Sequence, residues 1–229
     1  MDLRRPAVLA ALLACALGAG ACSDGPPTAL SDDAIELPAT LLEAKRLADR
    51  QAADWSPTAQ LLWIGGGFTV LDADGRGRNH TFFYYARFGL MHRRLDMHLF
   101  SAAPWAFDRP TSPPAALLDL TDVVDTDVVV PAAIAYAESI NVAHPDSIPI
   151  PESFAARLSA EPAWPEPQNV SDPADSVAWR VDFLVEQVHP SSGARVWYST
   201  ARFYFQPRTA ALFGTVVPDQ PQLYPYPSP

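Results

Sequence analysis

An alternating pattern in the middle of the chain most constrains its fold. Between residues 91 and 101 apolar and polar side chains alternate, and Arg93 is the one exception on the apolar side. A period of two is typical of a strand with one face buried and the other in water. The preceding stretch, Thr81–Phe88 (TFFYYARF), is rich in aromatic residues, which favour strands. We therefore expect an antiparallel hairpin here.

Helices are expected before each of two groups of strands. Apolar residues recur at spacings of three and four from Pro38 to Trp55, which predicts the first helix. The second is predicted from about Val130 to Ile140, with Asp125 or Asp127 as its cap. A shorter helix is expected over Glu152–Leu158.

The predicted strands complete the expected fold class, which is α+β. Strands are predicted at 59–64, 68–71, 81–88 and 91–101 after the first helix, and at 178–188, 194–206 and 209–217 after the second. We expect two helix-plus-antiparallel-β-meander units, with the helices packed on one face of the sheet. The predicted division is a signal peptide at 1–21, a flexible tether at 22–37, the first α+β unit at 38–118, the second at 119–217 and a Pro-rich tail at 218–229.

The first 21 residues have the three parts of a secretory signal: a basic start, an apolar middle and small residues at the end. The apolar run is short for a permanent membrane-spanning helix, which needs about 20 residues. The stretch Ala19–Cys22 resembles the lipobox of bacterial lipoproteins, which implies cleavage before Cys22 and its acylation, for example with palmitate. Two alternatives remain open: a second lipobox-like stretch ending at Cys15, and an ordinary signal peptide cut after Ala21 with Cys22 unmodified.

The signal also predicts a location. Residues 23–33 are small, polar and proline-bearing, which is typical of a flexible spacer. In enteric bacteria an aspartate after the lipidated cysteine resembles an inner-membrane retention signal, but Ser23 stands here. We expect a lipid-anchored protein on the periplasmic side of the cell envelope, at the outer rather than the inner membrane. The net charge of −10 argues against a nucleic-acid partner and leaves membrane attachment to the acyl groups.

Part of the chain resembles a known envelope family. The segment 47–61, which includes Trp55-Ser56-Pro57, followed by a Gly/Asp-rich turn and by Phe82–Tyr85, resembles the PepSY-like repeat. It is also similar to β-lactamase-inhibitor-protein-like domains, and residues 125–181 resemble the partner repeat. The resemblance implies protein binding or inhibition in the envelope, without catalytic residues. The Pro-rich insert at 158–175 departs from the family pattern.

Candidate metal ligands are few. His92, Asp96 and His98 share one face of the predicted strand, but six residues place the two histidines about 20 Å apart, too far for one ion. The stretch Asp72–Gly75 resembles the start of a calcium loop but lacks the later ligands, so a hairpin turn is expected. Four nearby aspartates are interpreted as loop and helix-start residues: Asp119, Asp122, Asp125 and Asp127.

Catalytic motifs are missing from the sequence. It has no Gly-x-Ser-x-Gly elbow, no Walker lysine after its triple glycine and no His-Glu-x-x-His. Acylation of Cys22 would leave no free thiol after processing. We therefore predict no enzyme activity and no cofactor.

The expected function is a non-catalytic protein-binding or inhibitory module. Tyr198, Arg202 and Tyr204 are the candidate binding face, because tyrosine and arginine are favoured at interfaces. The alternative is a carrier or enzyme that holds an apolar ligand between helix and sheet. A filled core would favour the binding module, and a cavity lined by aromatic side chains would favour the carrier.

Overall fold

A computed structural model describes four stretches of the chain: residues 37–65, 69–100, 105–159 and 177–224. The signal peptide, Cys22, most of the tether and most of the Pro-rich insert lie outside the described residues.

Two helices and ten strands make up the described part of the chain. The helices are α1 (Leu41–Trp55) and α2 (Thr126–Ala143). The strands are β1 (Gln60–Gly65), β2 (Val70–Leu71), β3 (Gly77–Phe88), β4 (Met91–Phe100), β5 (Trp105–Pro110), β6 (Ser153–Ser159), β7 (Ala178–Val188), β8 (Arg195–Phe205), β9 (Leu212–Val216) and β10 (Gln222–Leu223).

All ten strands join one antiparallel sheet. Eight of them follow the order β10-β8-β7-β6-β1-β3-β4-β5, while β2 pairs with β3 and β6, and β9 pairs with β8. At the centre, β1 pairs with β6 through Trp63 opposite Ser159, Ile64 opposite Leu158 and Gly65 opposite Arg157. This pairing joins the strands that follow α1 to the strands that follow α2.

The predicted fold class is therefore wrong. The chain is mostly β, with 44% strand and two helices in its described part, and it does not form two helix-plus-meander units. Pairing of β1 with β6 satisfies backbone groups that two separate sheets would leave at their edges. A single hydrophobic core also contains residues of both helices and of strands from both groups.

The short helix predicted at Glu152–Leu158 is also wrong, because residues 153–159 form β6. Phe154, Ala156 and Leu158 point into the core, whereas Ala155 packs in a separate cluster on the other face of the sheet. This alternation has the strand period of two. Pairing with β1 and β7 on both sides outweighs the helix propensity of the Ala-Ala-Arg-Leu run.

Two glycines allow the close approaches that join the two groups. Gly65 has φ +82°, and a Cβ built there would lie 1.9 Å from the carbonyl oxygen of Ala156. Gly75 has φ +72°, and a Cβ there would lie 2.1 Å from the carbonyl oxygen of Thr126 at the start of α2. Any larger residue would clash with the backbone at either position and would be strained by the left-handed conformation.

Helix α1 begins with a capping box. The Thr40 hydroxyl accepts from the Glu43 amide at 3.3 Å, and the Glu43 carboxylate accepts from the Thr40 amide at 3.0 Å. Helix α1 is also hydrogen-bonded to the sheet, since the Tyr84 hydroxyl donates to the Asp49 carboxylate at 2.7 Å. The cap fixes where the helix starts, and the tyrosine holds it against β3.

One carboxylate caps both helices. Asp125 is the N-cap of α2, and its side chain accepts from the Thr126 amide at 2.7 Å. The same carboxylate accepts from the Leu42 amide at 3.0 Å, in the first turn of α1, and from the Thr40 hydroxyl. The positive ends of two helix dipoles therefore meet at one negative charge.

We predict that Asp125→Ala lowers the free energy of unfolding by about 2–3 kcal/mol, because both helices lose an N-terminal acceptor. Urea denaturation followed by circular dichroism measures the change. Asp127→Asn is the matched control, because Asp127 lies in the first turn of α2 but its side chain is exposed. The pKa of Asp127 is raised by partial burial and by the charges of Asp125 and Glu43. The control is expected to shift stability by less than about 0.5 kcal/mol, and equal losses in both variants would contradict the shared cap.

Candidate functional site

The sheet has a second face, on the side away from the helix-covered core. On β7, Trp179, Val181 and Phe183 belong to the core, so Arg180 and Asp182 between them point to the opposite side. The same alternation on four other strands sends further arginines there. We call this side of the sheet the arginine face, and define it by Arg94, Arg109, Arg157, Arg180 and Arg202 with Asp96 and Asp182. Arg180 and the two aspartates are buried, and the other four arginines are half-buried.

Asp182 lies at the centre of one cluster on the arginine face. Its carboxylate accepts from Arg180 Nε at 2.6 Å, from Arg202 Nε at 3.2 Å and from the Ser199 hydroxyl at 2.8 Å. Only 2% of the Asp182 side chain is exposed. Burial opposes the charge on Arg180, but the neighbouring Asp182 carboxylate raises its pKa. The cluster is thus a buried charge group with its hydrogen bonds satisfied.

Asp96 lies at the centre of a similar cluster on β4. Its carboxylate accepts from Arg94 Nη2 at 2.8 Å, and Arg109 Nε of β5 lies 3.3 Å from it. In both clusters an aspartate is bound by an arginine two residues earlier on its own strand and by a second arginine from the next strand. The two clusters therefore repeat one arrangement at distant places on the sheet.

Aromatic rings lie between the two clusters. The rings of Trp63 and Phe83 stack with their centroids 4.3 Å apart. The Arg94 guanidinium carbon lies 5.5 Å from the centroid of each ring, and that of Arg157 lies 5.5 Å from the Trp63 centroid. These distances are within the range of cation–π attraction. Trp63 therefore has guanidinium groups from two different strands beside it.

Cross-strand neighbours arrange these groups in a continuous row. One part of the row runs from Phe107 through Asp96 and Phe83 to Trp63, and the other from Arg157 through Arg180 to Tyr204, with each residue opposite the next. Trp63 is opposite Ser159, so the two parts are joined diagonally, by the Arg157 guanidinium 5.5 Å from the Trp63 ring centroid. The row crosses seven adjacent strands, from β5 to β8. With strands about 4.8 Å apart, its length is about 29 Å.

The arginine face concentrates positive charge in an acidic protein. The arginine face has five arginines and two aspartates, whereas the whole chain has a net charge of −10. Guanidinium groups bind carboxylates and phosphates through paired hydrogen bonds and also pack against aromatic rings. The arrangement is therefore suited chemically to an elongated anionic partner.

The structure separates the three residues predicted as a binding face. Arg202 and Tyr204 lie on the arginine face, between the core residues Ala201, Phe203 and Phe205. The register of β8 shifts at Thr200, since Phe183 pairs with residue 201 but Leu184 pairs with residue 199. This bulge reverses the alternation, so Tyr198 points to the opposite side of the sheet from Arg202.

The arginine face was not identified from sequence apart from Arg202. One usable signal was a repeated motif, Arg94-Leu95-Asp96 and Arg180-Val181-Asp182, in which two charges flank an apolar residue within a strand. A second signal was single arginines between apolar neighbours, as at Arg157 and Arg202. Such arginines must lie on a strand face that can accommodate charge.

The candidate metal ligands have other partners in the structure. The His92 ring bonds the Tyr85 hydroxyl at 2.6 Å, the His98 ring bonds the Thr81 hydroxyl at 3.2 Å, and Asp96 binds arginines. No group of three or more histidine, cysteine, aspartate or glutamate residues in the described ranges is arranged to hold a metal ion.

The acidic residues near the helix starts serve as local acceptors. The Asp72 side chain accepts from the amides of Asp74 at 3.0 Å and Arg76 at 2.9 Å, which closes a turn. Asp119 accepts from the Thr121 amide at 2.9 Å, and Asp125 caps the two helices. These contacts account for Asp72 and Asp119 as turn residues and for Asp125 as a cap.

Comparison of the chain with known proteins gives no match among protein-family models, curated proteins or solved structures. The resemblance to the PepSY-like repeat therefore stays a prediction. Neither helix in the described part of the chain is long and apolar enough to cross a membrane.

Two buried histidines are held neutral by the fold. His80 is fully buried and bonds the Gly77 carbonyl through Nε2 at 2.9 Å, and burial lowers its pKa to about 4. Burial also lowers the pKa of His98 to about 4, and Arg109 lowers it further while Asp96 opposes the shift. Both rings are expected to stay uncharged in the folded protein until the pH falls well below 6.

We predict that the protein loses stability between pH 6.5 and pH 4, because the unfolded chain binds protons at these histidines more readily than the folded one. A pKa lowered from 6.5 to about 4 corresponds to about 3 kcal/mol for each histidine. The free energy of unfolding, measured by urea denaturation at several pH values, should fall across this window. The double variant His80→Gln with His98→Asn should flatten that dependence, and an unchanged slope would contradict it.

Proposed function

We propose that this protein is a non-catalytic binding module of the cell envelope, anchored through acyl groups on Cys22, which binds an acidic segment of a partner protein through the arginine face. The observation that carries the proposal is the set of five arginines on the arginine face, with stacked aromatic rings among them, in a chain of net charge −10. An excess of cations on one sheet face attracts anions and repels the cationic surfaces of other proteins.

The dimensions of the row favour a peptide over a small molecule. The row is about 29 Å long, which matches about nine residues of extended chain. The five guanidinium groups of the arginine face come from five separate strands. Successive carboxylates of an extended partner would therefore meet successive arginines. Arginine, tryptophan and tyrosine are also the residues that contribute most often to protein interfaces.

The position of the aspartates supports binding as well. Asp96 and Asp182 are buried, and each is ion-paired with two guanidinium groups. These carboxylates orient the guanidinium groups and reduce their side-chain freedom before a partner arrives. Preorganisation of this kind lowers the entropy cost of binding.

The core argues against the alternative of an apolar carrier. Phe82, Phe154 and Trp179 lie fully buried in the core between the helices and the sheet. An apolar ligand between helix and sheet would have to displace packed side chains there. We therefore favour the binding module.

The membrane anchor is proposed from the sequence alone, since Cys22 lies outside the described residues. The lipobox-like stretch before Cys22 and the polar, proline-bearing spacer after it support the proposal. A spacer of this composition would let the folded body, which begins at about residue 37, stand off the membrane surface.

We predict that a fluorescent deca-glutamate peptide binds the protein at low salt and that deca-lysine does not. The double variant Arg109→Gln with Arg202→Gln should weaken binding about tenfold, because each lost charge contributes about 1 kcal/mol or less. Each buried aspartate keeps one arginine in this variant, so the fold is retained. Fluorescence anisotropy measures the affinity.

The matched control is Arg208→Gln, which removes one exposed arginine in the turn after β8, where the Arg208 guanidinium lies 3.9 Å from Asp119. It should change the affinity by less than about twofold. Equal binding of deca-glutamate by wild type and the double variant, or equal binding of deca-lysine, would reject the arginine face as the binding surface.

We predict that metabolic labelling with a palmitate analogue in a bacterial host is lost in Cys22→Ala and retained in Cys15→Ala. The thiol of the residue after the cleaved lipobox is the acylated group, so only its removal abolishes labelling. Gel fluorescence of the purified protein measures the label. Labelling that persists in Cys22→Ala would move the anchor to another residue.

A further inference from the structure

The tip of the β3–β4 hairpin exposes apolar side chains to an unusual degree. Leu90 is 90% exposed, Met91 59% and Phe88 37%. Hairpin turns in water are normally built from polar residues or glycine. These three residues lie together at one end of the molecule and are separate from the arginine face.

The geometry of the hairpin makes its tip prominent. The last pairing of β3 with β1 is Tyr85 opposite Gln60, and beyond it β3 pairs with β4 alone as far as Phe88 opposite Met91. On its other side, β4 stays paired with β5 up to Arg93 opposite Pro110, and the Thr111 amide donates to the His92 carbonyl at 3.0 Å. Phe88 and the turn therefore project beyond the last sheet contact by about 7 Å. The Trp55 ring at the end of α1 packs edge-on against the Phe88 ring, with the ring centroids 5.3 Å apart, and supports it from one side.

The turn itself is tight, and one of its backbone carbonyl groups accepts a hydrogen bond. Gly89 has φ +61° with nothing near its Cβ position, and the two-residue Gly89-Leu90 turn directs Leu90 outward. The Arg87 Nε donates to the Gly89 carbonyl at 2.7 Å. This bond matters because an unsatisfied carbonyl is costly in an apolar environment.

Cations surround the apolar tip. Residues 87–94 (RFGLMHRR) contain three arginines and one histidine and no acidic residue. Two of these arginines have carboxylate partners on the strands behind the tip, where Asp108 accepts from Arg93 at 2.8 Å and Asp96 binds Arg94. The acidic body as a whole is repelled by an anionic surface, so the tip is the part suited to approach one.

We propose that the hairpin tip inserts Phe88, Leu90 and Met91 into the outer layer of an anionic lipid bilayer, with Arg87 and Arg93 at the level of the phosphate groups. Apolar side chains flanked by arginines are the chemistry that binds lipid interfaces, where the apolar part lies about 5–10 Å deep. The length of the projecting hairpin matches this depth. The proposal is independent of the arginine face and of acylation at Cys22.

The experiment places an environment-sensitive fluorophore (NBD) at the tip. The full chain carries Cys15→Ala and Cys22→Ser, so that no acyl chain is attached, together with Leu90→Cys as the labelling site. Vesicles contain 30% phosphatidylglycerol and 70% phosphatidylcholine. NBD emission at position 90 is expected to rise at least about twofold, and the lipid concentration for half-saturation should be about tenfold lower than with phosphatidylcholine alone.

The matched control carries the label at Val142, which is 86% exposed at the end of α2. It reports whether another exposed apolar position, away from the hairpin tip, also enters the bilayer. A rise at position 90 with none at position 142 supports the proposal. No rise at position 90, or equal rises at both positions, overturns it, and a rise without vesicles at high protein concentration would instead assign the tip to contacts between copies of the chain.

Discussion

The pairing of β1 with β6 is the contact on which the rest of the structure depends. It joins the strands of both parts of the chain into one sheet, and Gly65 makes it possible by letting the Ala156 carbonyl approach within a distance that no side chain would permit. The same pairing brings Trp63 of β1 beside Arg157 of β6. Without it the two aspartate-centred clusters would lie on separate sheets, and no continuous row of charges would cross the molecule.

Local patterns predicted seven of the ten strands in the described part of the chain, but missed β5, β6 and β10 and did not predict the central pairing. The alternation at 91–101 and the run at 178–188 correspond to β4 and β7, because each follows from the side chains of that segment alone. The choice of β1 as the partner of β6 depends on residues almost a hundred positions apart, and no local period encodes it. The helix predicted at 152–158 is wrong because Ala155 and Ala156 are both small and apolar, which hides the alternation between two buried faces of β6.

The binding face was also hard to predict from sequence, because it too depends on how the strands pair. Counting by twos from Tyr198 to Arg202 and Tyr204 assumes an uninterrupted strand, and the bulge at Thr200 breaks that assumption with a single residue. The Arg-x-Asp repeats were visible in the sequence, but their significance depends on a second arginine from the neighbouring strand. Arg109 and Arg202 reach their aspartates only because β5 pairs with β4 and β8 pairs with β7 in the observed register.

The shared cap at Asp125 would help the folded protein to survive proteolytic cleavage between β5 and α2. The connection from β5 to α2 includes several exposed residues at 111–117, where a protease can reach the backbone. A cut there would divide the chain in sequence, yet β1 would still be hydrogen-bonded to β6 and Asp125 would still hold the first turn of α1. The nicked protein would remain one particle made of two complementary fragments, and neither fragment would expose the long β1 or β6 edge at which chains aggregate.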